Sequence, residues 1–291
     1  MGSAVWIGLS FAAALAAMAE TGSARTISKC VESRPEALDN PQELRLSNDG
    51  RRLFVAETDK DRIAILDPTS LRVKSTFGGD QLDGVHDIDV DTQGRLYAAD
   101  THNNRVAMFD IRRNPPQFVG ELRGGISRPE SVAVHPNGTV YVSGAWSRNV
   151  VAFRSGRQVA KVDGLSAPRA LAIDRDGRVF VVVSSREQIF ILSPDLAITG
   201  AVSARKMGAS LPSDIQAVRS DVFALVEKSR HRFWLARTNG EVLTTLGTGR
   251  PGQGAVALRR PGGVEMRASH VWIADSGNNR ILRCALEVSG S

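Results

Sequence analysis

The sequence predicts an all-β chain folded as a six-bladed β-propeller with four strands in each blade. The first observation is a unit that recurs along most of the 291 residues. Each copy has a short alternating apolar strand, a polar turn ending in glycine, a second strand, another polar turn and a third strand. The six copies begin at Glu43, Asp87, Ser131, Ala170, Asp214 and Gly263.

The second observation is the spacing of these copies. The residue that opens each first strand fixes the register, and successive openings lie 44, 44, 39, 44 and 49 residues apart. A period of about 40 to 50 residues with several short strands per copy is typical of propellers. The six openings are Gln42, His86, Glu130, Arg169, Ser213 and Gly262, and a proline precedes five of them, as suits the edge of a strand.

The period divides the chain into a leader and one domain. From Ala4 to Ala19 the chain carries no charge and ends in a small-x-small pattern, which is typical of a secretory signal cleaved after Ala19 or Ala24. We therefore expect a signal peptide over residues 1–24, a periplasmic or secreted protein, and no transmembrane span in the mature chain. A short apolar anchor is the alternative. The single propeller over 25–291 is expected to have blades at about 40–79, 80–123, 124–164, 165–206, 207–250 and 258–291, the last completed by 25–33.

The two ends of the domain are predicted to close the ring together. Internal copies have room for a fourth, outer strand, as in Leu71–Phe77, whereas the last copy runs out of chain soon after Cys284. The segment 25–33 can supply that strand, which removes an exposed sheet edge and brings Cys30 beside Cys284. In an oxidising compartment this pair predicts a disulfide. By the loop-entropy model such a long loop contributes on the order of 4 to 5 kcal/mol.

Composition limits the classes of partner. Hydrophobic residues make up 42% and charged residues 23%, as in an ordinary soluble globular protein, and the net charge is +6. A basic balance favours acidic partners, although an evenly basic surface with no such partner is the alternative. Basic residues occur as scattered pairs such as Arg112-Arg113 rather than as a block, so we expect no nucleic-acid partner. We expect a monomer.

The turn between the second and third strands carries a repeated pair of charges. In four copies an acid precedes an arginine by five residues, so the two can meet across the hairpin as a charge-assisted pair. The pairs are Glu57 with Arg62, Asp100 with Arg105, Glu227 with Arg232, and Asp275 with Arg280. Because catalysis seldom needs four copies of one device, we interpret these pairs as structural.

These turns resemble a known repeat. The segments LYAADTHNNRV, from Leu96, and VWIADSGNNRI, from Val271, look like the NHL repeat. The resemblance is strongest in the second and last copies, and the third and fourth copies lack the acid and the arginine. It implies a six-bladed propeller and leaves the chemistry open, since function lies in sites added to the fold.

The first strands of a propeller line its central channel, so the six openings are candidates for one site. We predict a ligand-binding channel lined by Gln42, His86, Glu130, Arg169 and Ser213, with Gly262 as the sixth position and Asp87 and Asp214 nearby. Titratable groups that converge in a concave site are typical of binding and active sites. A polar, water-filled channel without a ligand is the alternative.

His86 also bears on metal binding. The segment HDIDVDTQG, from His86, resembles the strand openings that carry three zinc-binding histidines in the peptidyl-hydroxyglycine amidating lyases. Of the matching positions here only His86 is a histidine, so His86 and Glu130 give two candidate metal ligands where a catalytic zinc usually has three. Arg169 would place a positive charge beside the ion. We therefore expect no cofactor.

The function that the sequence favours is an exported scaffold that binds a ligand or a protein partner at the channel mouth. Trp146, Arg148, Arg186 and Asn278 are further candidates in loops, because aromatic and arginine side chains are common binding anchors. The alternative is a small-molecule lyase or hydrolase, with or without a metal, whose site lies in the same channel. The sequence contains no G-x-S-x-G, P-loop or HExxH motif.

Overall fold

A computed structural model describes residues 25–34, 37–183 and 186–288. The expected signal peptide, residues 1–24, lies outside the described residues. Within the described part the chain forms six sheets of four antiparallel strands. Short 3₁₀ turns lie at Thr58–Lys60, Ala204–Met207 and Ser276–Asn278. The predicted six-bladed, all-β propeller is confirmed.

In each blade the strands follow one another from the central channel of the propeller to its outer rim. The first blade has β2 (Pro41–Leu46), β3 (Leu53–Glu57), β4 (Arg62–Leu66) and β5 (Val73–Phe77). The second has β6 (Val85–Val90), β7 (Arg95–Asp100), β8 (Arg105–Asp110) and β9 (Gln117–Leu122). The third has β10 (Pro129–Val134), β11 (Val140–Gly144), β12 (Asn149–Arg154) and β13 (Arg157–Asp163). The fourth has β14 (Pro168–Ile173), β15 (Val179–Val183), β16 (Gln188–Leu192) and β17 (Ile198–Ser203). The fifth has β18 (Asp214–Arg219), β19 (Val222–Glu227), β20 (Arg232–Arg237) and β21 (Val242–Leu246).

The sixth blade joins the two ends of the domain. Its strands are β22 (Val264–Arg267), β23 (His270–Asp275), β24 (Arg280–Val288) and, outermost, β1 (Arg25–Glu32). In the pairing of β1 with β24, Ile27 lies opposite Leu286, and Cys30 forms a disulfide with Cys284. Ring closure by the N-terminal strand and the disulfide are both as predicted.

The core lies between neighbouring blades rather than inside any one of them. The second strand of a blade is buried on both faces, which is why its sequence is a continuous apolar run, as in the VFVVV of β15. Between the fourth and fifth blades, Phe180 packs edge-to-face on Phe223 with ring centroids 4.8 Å apart, and Trp234 joins the same cluster. The outer strands alternate or face solvent, as in β5.

Tight hairpins fix the direction of the strands. Gly94 and Gly138, with φ of 81° and 84°, close the turns between the first and second strands of their blades, a conformation that favours glycine. Each first strand therefore begins at the edge where the second strand ends: Pro129 lies opposite Gly144. This edge carries the channel mouth described next. No helix in the described ranges is long and apolar enough to cross a membrane.

Candidate functional site

A small polar cavity of about 40 Å³ lies where the six first strands begin. We call it the channel mouth. It is lined by Gln42, Glu43, His86, Asp87, Glu130, Ser131, Arg169, Ala170, Ser213, Asp214, Lys228 and Gly262. All six strand openings singled out in the sequence therefore meet in one cavity. Whether it binds a ligand remains a prediction.

A β-bulge at the start of the first strands explains why neighbouring residues face the same cavity. In four blades the register shifts within the first residues of the strand, for example between Val85 and Asp87. A bulge interrupts the strict alternation of a strand and re-aims its side chains. His86 and Asp87 therefore both line the mouth, although strict alternation predicts that only one of them does.

His86 and Glu130 form a hydrogen-bonded pair across two blades. The Nδ1 of His86 lies 3.1 Å from Oε2 of Glu130, and their side chains are 31% and 18% exposed. Burial acts to raise the pKa of Glu130, but the hydrogen bond and charge of His86, together with the charge of Arg169, hold it below its usual value. A carboxylate that orients an imidazole in this way prepares it to exchange protons with a bound molecule.

Lys228 is a site residue that the sequence analysis missed. It follows the last residue of β19, and its backbone N–H donates to Oγ of Ser213 at 2.9 Å, which anchors the chain at the mouth. Among the described residues its ammonium donates to the neutral amide oxygen of Gln42 rather than to a carboxylate. Burial and the nearby positive charge of Arg169 lower the pKa of Lys228 to about 8.

Below the mouth lies a layer of buried carboxylates. Asp87 accepts the backbone N–H of Val132 in the next blade at 2.9 Å, and Asp214 accepts that of Val264 at 2.9 Å. These side chains therefore connect neighbouring blades through hydrogen bonds. Burial raises the pKa of Asp87 to about 7, and it also raises the pKa values of Glu43 and Asp214.

A single arginine compensates much of this negative charge. Arg45 extends along the channel, and its guanidinium lies 3.3 Å from Glu265, 3.4 Å from Asp89 and 3.9 Å from Glu43. Burial raises the pKa of Glu265 to about 7 in spite of Arg45. At the far end of the channel, Arg45, Asp89 and Glu265 line a second cavity of about 200 Å³.

The channel mouth brings the two candidate metal ligands together with positive charge. Glu130 is engaged by the imidazole of His86, and Arg169 and Lys228 bring positive charge to the same cavity. A divalent ion prefers several neutral or anionic ligands free of such neighbours. Across the described ranges, no group of three or more histidine, cysteine or acidic side chains is arranged to hold a metal ion. His86 and Glu130 contact each other through Nδ1 and Oε2, and the expectation that the protein has no cofactor stays a prediction.

Three of the four predicted charge pairs form. The arginine Nε lies 2.6 to 2.8 Å from the carboxylate in Glu57–Arg62, Asp100–Arg105 and Asp275–Arg280. All four acids, including Glu227, also accept a backbone N–H from the loop that leads into their own blade. The acids therefore fasten the connections between blades, which is a structural role.

The Glu227–Arg232 ion pair is absent from the described structure, so that prediction is corrected. Glu227 accepts the hydroxyl groups of Ser210 at 2.7 Å and Ser229 at 2.5 Å. Because these donors occupy the carboxylate, Arg232 instead lies over the ring of Trp234, with its Cζ 6.0 Å from the centroid. Its Nε has no hydrogen-bond partner among the described residues.

The turn with the clearest acid–arginine pair lies in a recognisable repeat. The NHL-repeat family model matches residues 82–109, which run from the loop before β6 to the end of β8. The chain carries an NHL repeat. No curated protein matches the chain. The Asp100–Arg105 pair lies inside the matched NHL repeat, and its equivalents recur in the first and last blades.

Three solved structures of lyases are similar to this chain. Selenomethionine-substituted virginiamycin B lyase from Staphylococcus aureus is 14% identical with a TM-score of 0.66, covering 88% of this chain and 99% of that one. A streptogramin B lyase is 16% identical with a TM-score of 0.66, covering 89% and 98%. A catalytically inactive virginiamycin B lyase from Staphylococcus aureus with quinupristin is 12% identical with a TM-score of 0.67, covering 88% and 99%. At these identities the likeness shows the fold.

The loop candidates lie on the same edge of the propeller as the mouth. Trp146 donates its backbone N–H to Ser127, and its side chain is 72% exposed under the guanidinium of Arg128, whose Cζ lies 4.9 Å from the ring centroid. Arg148 donates to Oγ of Ser166 at 2.9 Å. Asn278 and Arg186 occupy the equivalent turns of the sixth and fourth blades. An exposed aromatic ring beside arginines offers a contact surface next to the channel mouth.

The buried carboxylates predict a pH-dependent stability. When folding raises the pKa of an acid, the folded state binds more protons than the unfolded state between the two pKa values, so stability falls as pH rises through that window. For Glu265 and Asp87 the window extends from about pH 4 to about pH 7. The lowered pKa of Lys228 acts only above about pH 8. We therefore compare the free energy of unfolding of Glu265→Gln with that of the wild type at each pH. We expect this difference to favour the variant more at pH 8 than at pH 5, by at most about 3 kcal/mol.

The measurement is urea unfolding of both proteins from pH 5 to pH 8. Glu241→Gln is the matched control, because the Glu241 side chain is 51% exposed beside Arg237. The control should keep the same pH slope as the wild type. A Glu265→Gln slope equal to that of the wild type would contradict the assignment of the pH effect to this buried acid.

Proposed function

We propose that this chain is an exported binding propeller, and that a carboxylate of its ligand or protein partner enters the channel mouth. The observation that carries the proposal is the convergence of Arg169 and Lys228 on a cavity formed by all six first strands. Burial lowers the pKa of Lys228, the charge of Arg169 lowers it further, and an anion bound between these two cations relieves their repulsion. Export is supported by the apolar run from Ala4 to Ala19 and by the Cys30–Cys284 disulfide.

The geometry favours an anionic group over a cationic or apolar one. The mouth is lined almost entirely by polar side chains, so an apolar ligand would leave them unpaired. The acids beneath it have raised pKa values, so near neutral pH part of their negative charge is removed by protonation. Arg260 adds a further positive charge close enough to lower the pKa of Lys228.

The test is calorimetric titration of the protein with succinate at low salt and pH 7. We expect Arg169→Gln to weaken binding at least about tenfold, because a charge-assisted hydrogen bond is lost. Arg175→Gln is the matched control: it removes the same charge from the same blade, but from the exposed turn between β14 and β15 at the other edge. Equal weakening by both variants, or no binding by the wild type, would defeat the proposal.

A lyase is the second candidate, and the His86–Glu130 pair favours it. An imidazole held 3.1 Å from a carboxylate is suited to take a proton from a substrate and return it to a leaving group. The similar solved structures named as lyases carry the same fold. The discriminating experiment follows quinupristin by mass spectrometry with wild type and with His86→Ala. Loss of the compound with the wild type alone favours the lyase, and unchanged compound with both favours the binding scaffold.

A further inference from the structure

Lys228 combines three features that a binding cation does not need. It lies at the mouth with a half-buried side chain, its backbone is fixed by Ser213, and its amine contacts a neutral amide. A lysine that binds an anion through its charge is best kept protonated, which this environment opposes. A desolvated lysine beside another cation is instead a typical amine nucleophile toward carbonyl compounds.

The neighbours of Lys228 provide the remaining groups that such a reaction requires. Arg169 lines the same cavity and presents a guanidinium that can bind a carboxylate through two hydrogen bonds. His86, oriented by Glu130, lines it as a group that can donate and accept a proton. The cavity is small, which limits the reacting part of the ligand to a few atoms.

We infer that the channel mouth takes a short oxo acid, whose carboxylate binds Arg169 and whose carbonyl carbon forms an imine with the amine of Lys228. This inference rests on the proposed carboxylate binding and names the ligand class. The lowered pKa of Lys228, about 8, supports it because about a tenth of the amine then carries a free lone pair at pH 7, far more than for a lysine of ordinary pKa.

The reaction balances without an oxidant or a reductant. The nitrogen lone pair of Lys228 adds to the carbonyl carbon, and the carbonyl π electrons move to oxygen, which takes a proton from His86. The imidazole next takes a proton from the nitrogen and gives it to the hydroxyl group of the carbinolamine, which leaves as water as the nitrogen lone pair forms the C=N bond, and the imidazole then takes the remaining nitrogen proton. Amine and carbonyl thus give imine and water, and His86 returns to its starting protonation state.

The experiment is reductive trapping of the full chain with pyruvate and sodium cyanoborohydride, followed by intact-mass measurement and peptide mapping. We expect one adduct per molecule, located on Lys228, with a labelling rate that reaches half of its maximum near pH 8. The exposed Lys206 provides an internal reference in the same digest. Arg169→Gln should slow labelling of Lys228 at least about tenfold, because the carboxylate loses its charged partner.

Two controls separate the failure of this inference from the failure of the proposed function. Lys228→Arg removes the primary amine and should lose the adduct, whereas Lys206→Arg, at an exposed position outside the lining of the mouth, should keep both the adduct and succinate binding. Labelling of Lys206 at the same rate as Lys228, or no adduct at Lys228 in a protein that binds succinate, overturns the imine and leaves carboxylate binding standing. A wild type that binds neither succinate nor pyruvate overturns the proposed function as well.

Discussion

Replacing both Cys30 and Cys284 by alanine is expected to lower the free energy of unfolding by on the order of 4 to 5 kcal/mol. The disulfide joins residues 254 positions apart, so it restricts nearly the whole unfolded chain. It also fixes the outermost strand of the sixth blade to β24, since Cys30 lies in β1. Alanine suits the buried, apolar surroundings of Cys284, because it introduces no polar group that needs a hydrogen bond. Urea unfolding under non-reducing conditions measures the difference.

Reduced wild-type protein is the natural control for this variant. Treatment with a thiol reductant should bring the unfolding midpoint of the wild type to that of the double variant, and should leave the variant unchanged. Coincident unfolding curves for oxidised wild type, reduced wild type and variant would show that ring closure depends on strand pairing alone.

Arg280→Ala is expected to cost about 3 to 5 kcal/mol, because it leaves the buried carboxylate of Asp275 without its cation. The Arg280 side chain is 5% exposed, and its Nε lies 2.8 Å from Asp275. Its two Nη groups reach Glu32 of β1 and the carbonyl oxygens of Gly254 and Ala257. One side chain therefore joins β24, β1 and the loop before β22. Urea unfolding at pH 7 measures the loss.

Arg62→Ala is the matched control, since Arg62 occupies the same position in the first blade. Its side chain is 30% exposed, and Lys60 lies 4.0 Å from the same carboxylate of Glu57. Glu57 is as buried as Asp275, but Lys60 remains beside it after the change, so we expect a smaller loss of about 1 to 3 kcal/mol. Equal losses in the two variants would mean that the wider network around Arg280 adds no stability.

The architecture could be predicted because the alternation of the strands and the residues of the turns recur in each copy of the repeat. Six openings at nearly constant spacing leave few alternatives to a propeller, and the last copy lacks an outer strand, which identifies β1 as its partner. The disulfide follows from that placement, because Cys30 and Cys284 then lie on paired strands. The convergence of the six openings on one cavity follows from the same symmetry.

The chemistry of the site was predicted less completely, for physical reasons that particular residues show. Lys228 lies after a second strand, so a register built on first strands does not include it. The burial of Glu43 depends on a bulge, which no alternation pattern reveals. Arg45 is an arginine on a channel strand, yet its three carboxylate partners come from three different blades. Such contacts are set by tertiary packing and not by spacing.

The prediction of a Glu227–Arg232 ion pair was wrong for an equally local reason. Glu227 and Arg232 have the spacing of the other pairs and lie opposite each other in the strand register. Ser210 and Ser229 nevertheless supply hydroxyl donors to the acid, which removes its need for the guanidinium. A charge pattern predicts which groups can meet, whereas the neighbouring donors decide whether they do.

The shared sixth blade also determines the order in which the molecule can be completed during synthesis. β1 leaves the ribosome before every other strand of the propeller, and its partner β24 leaves last. Throughout elongation the first five blades can form in turn, while the residues of β1 keep an unpaired edge. Closure therefore waits until β24 has been synthesised. A chaperone that binds extended strands can therefore bind residues 25–32 and so prevent closure of a nearly complete propeller.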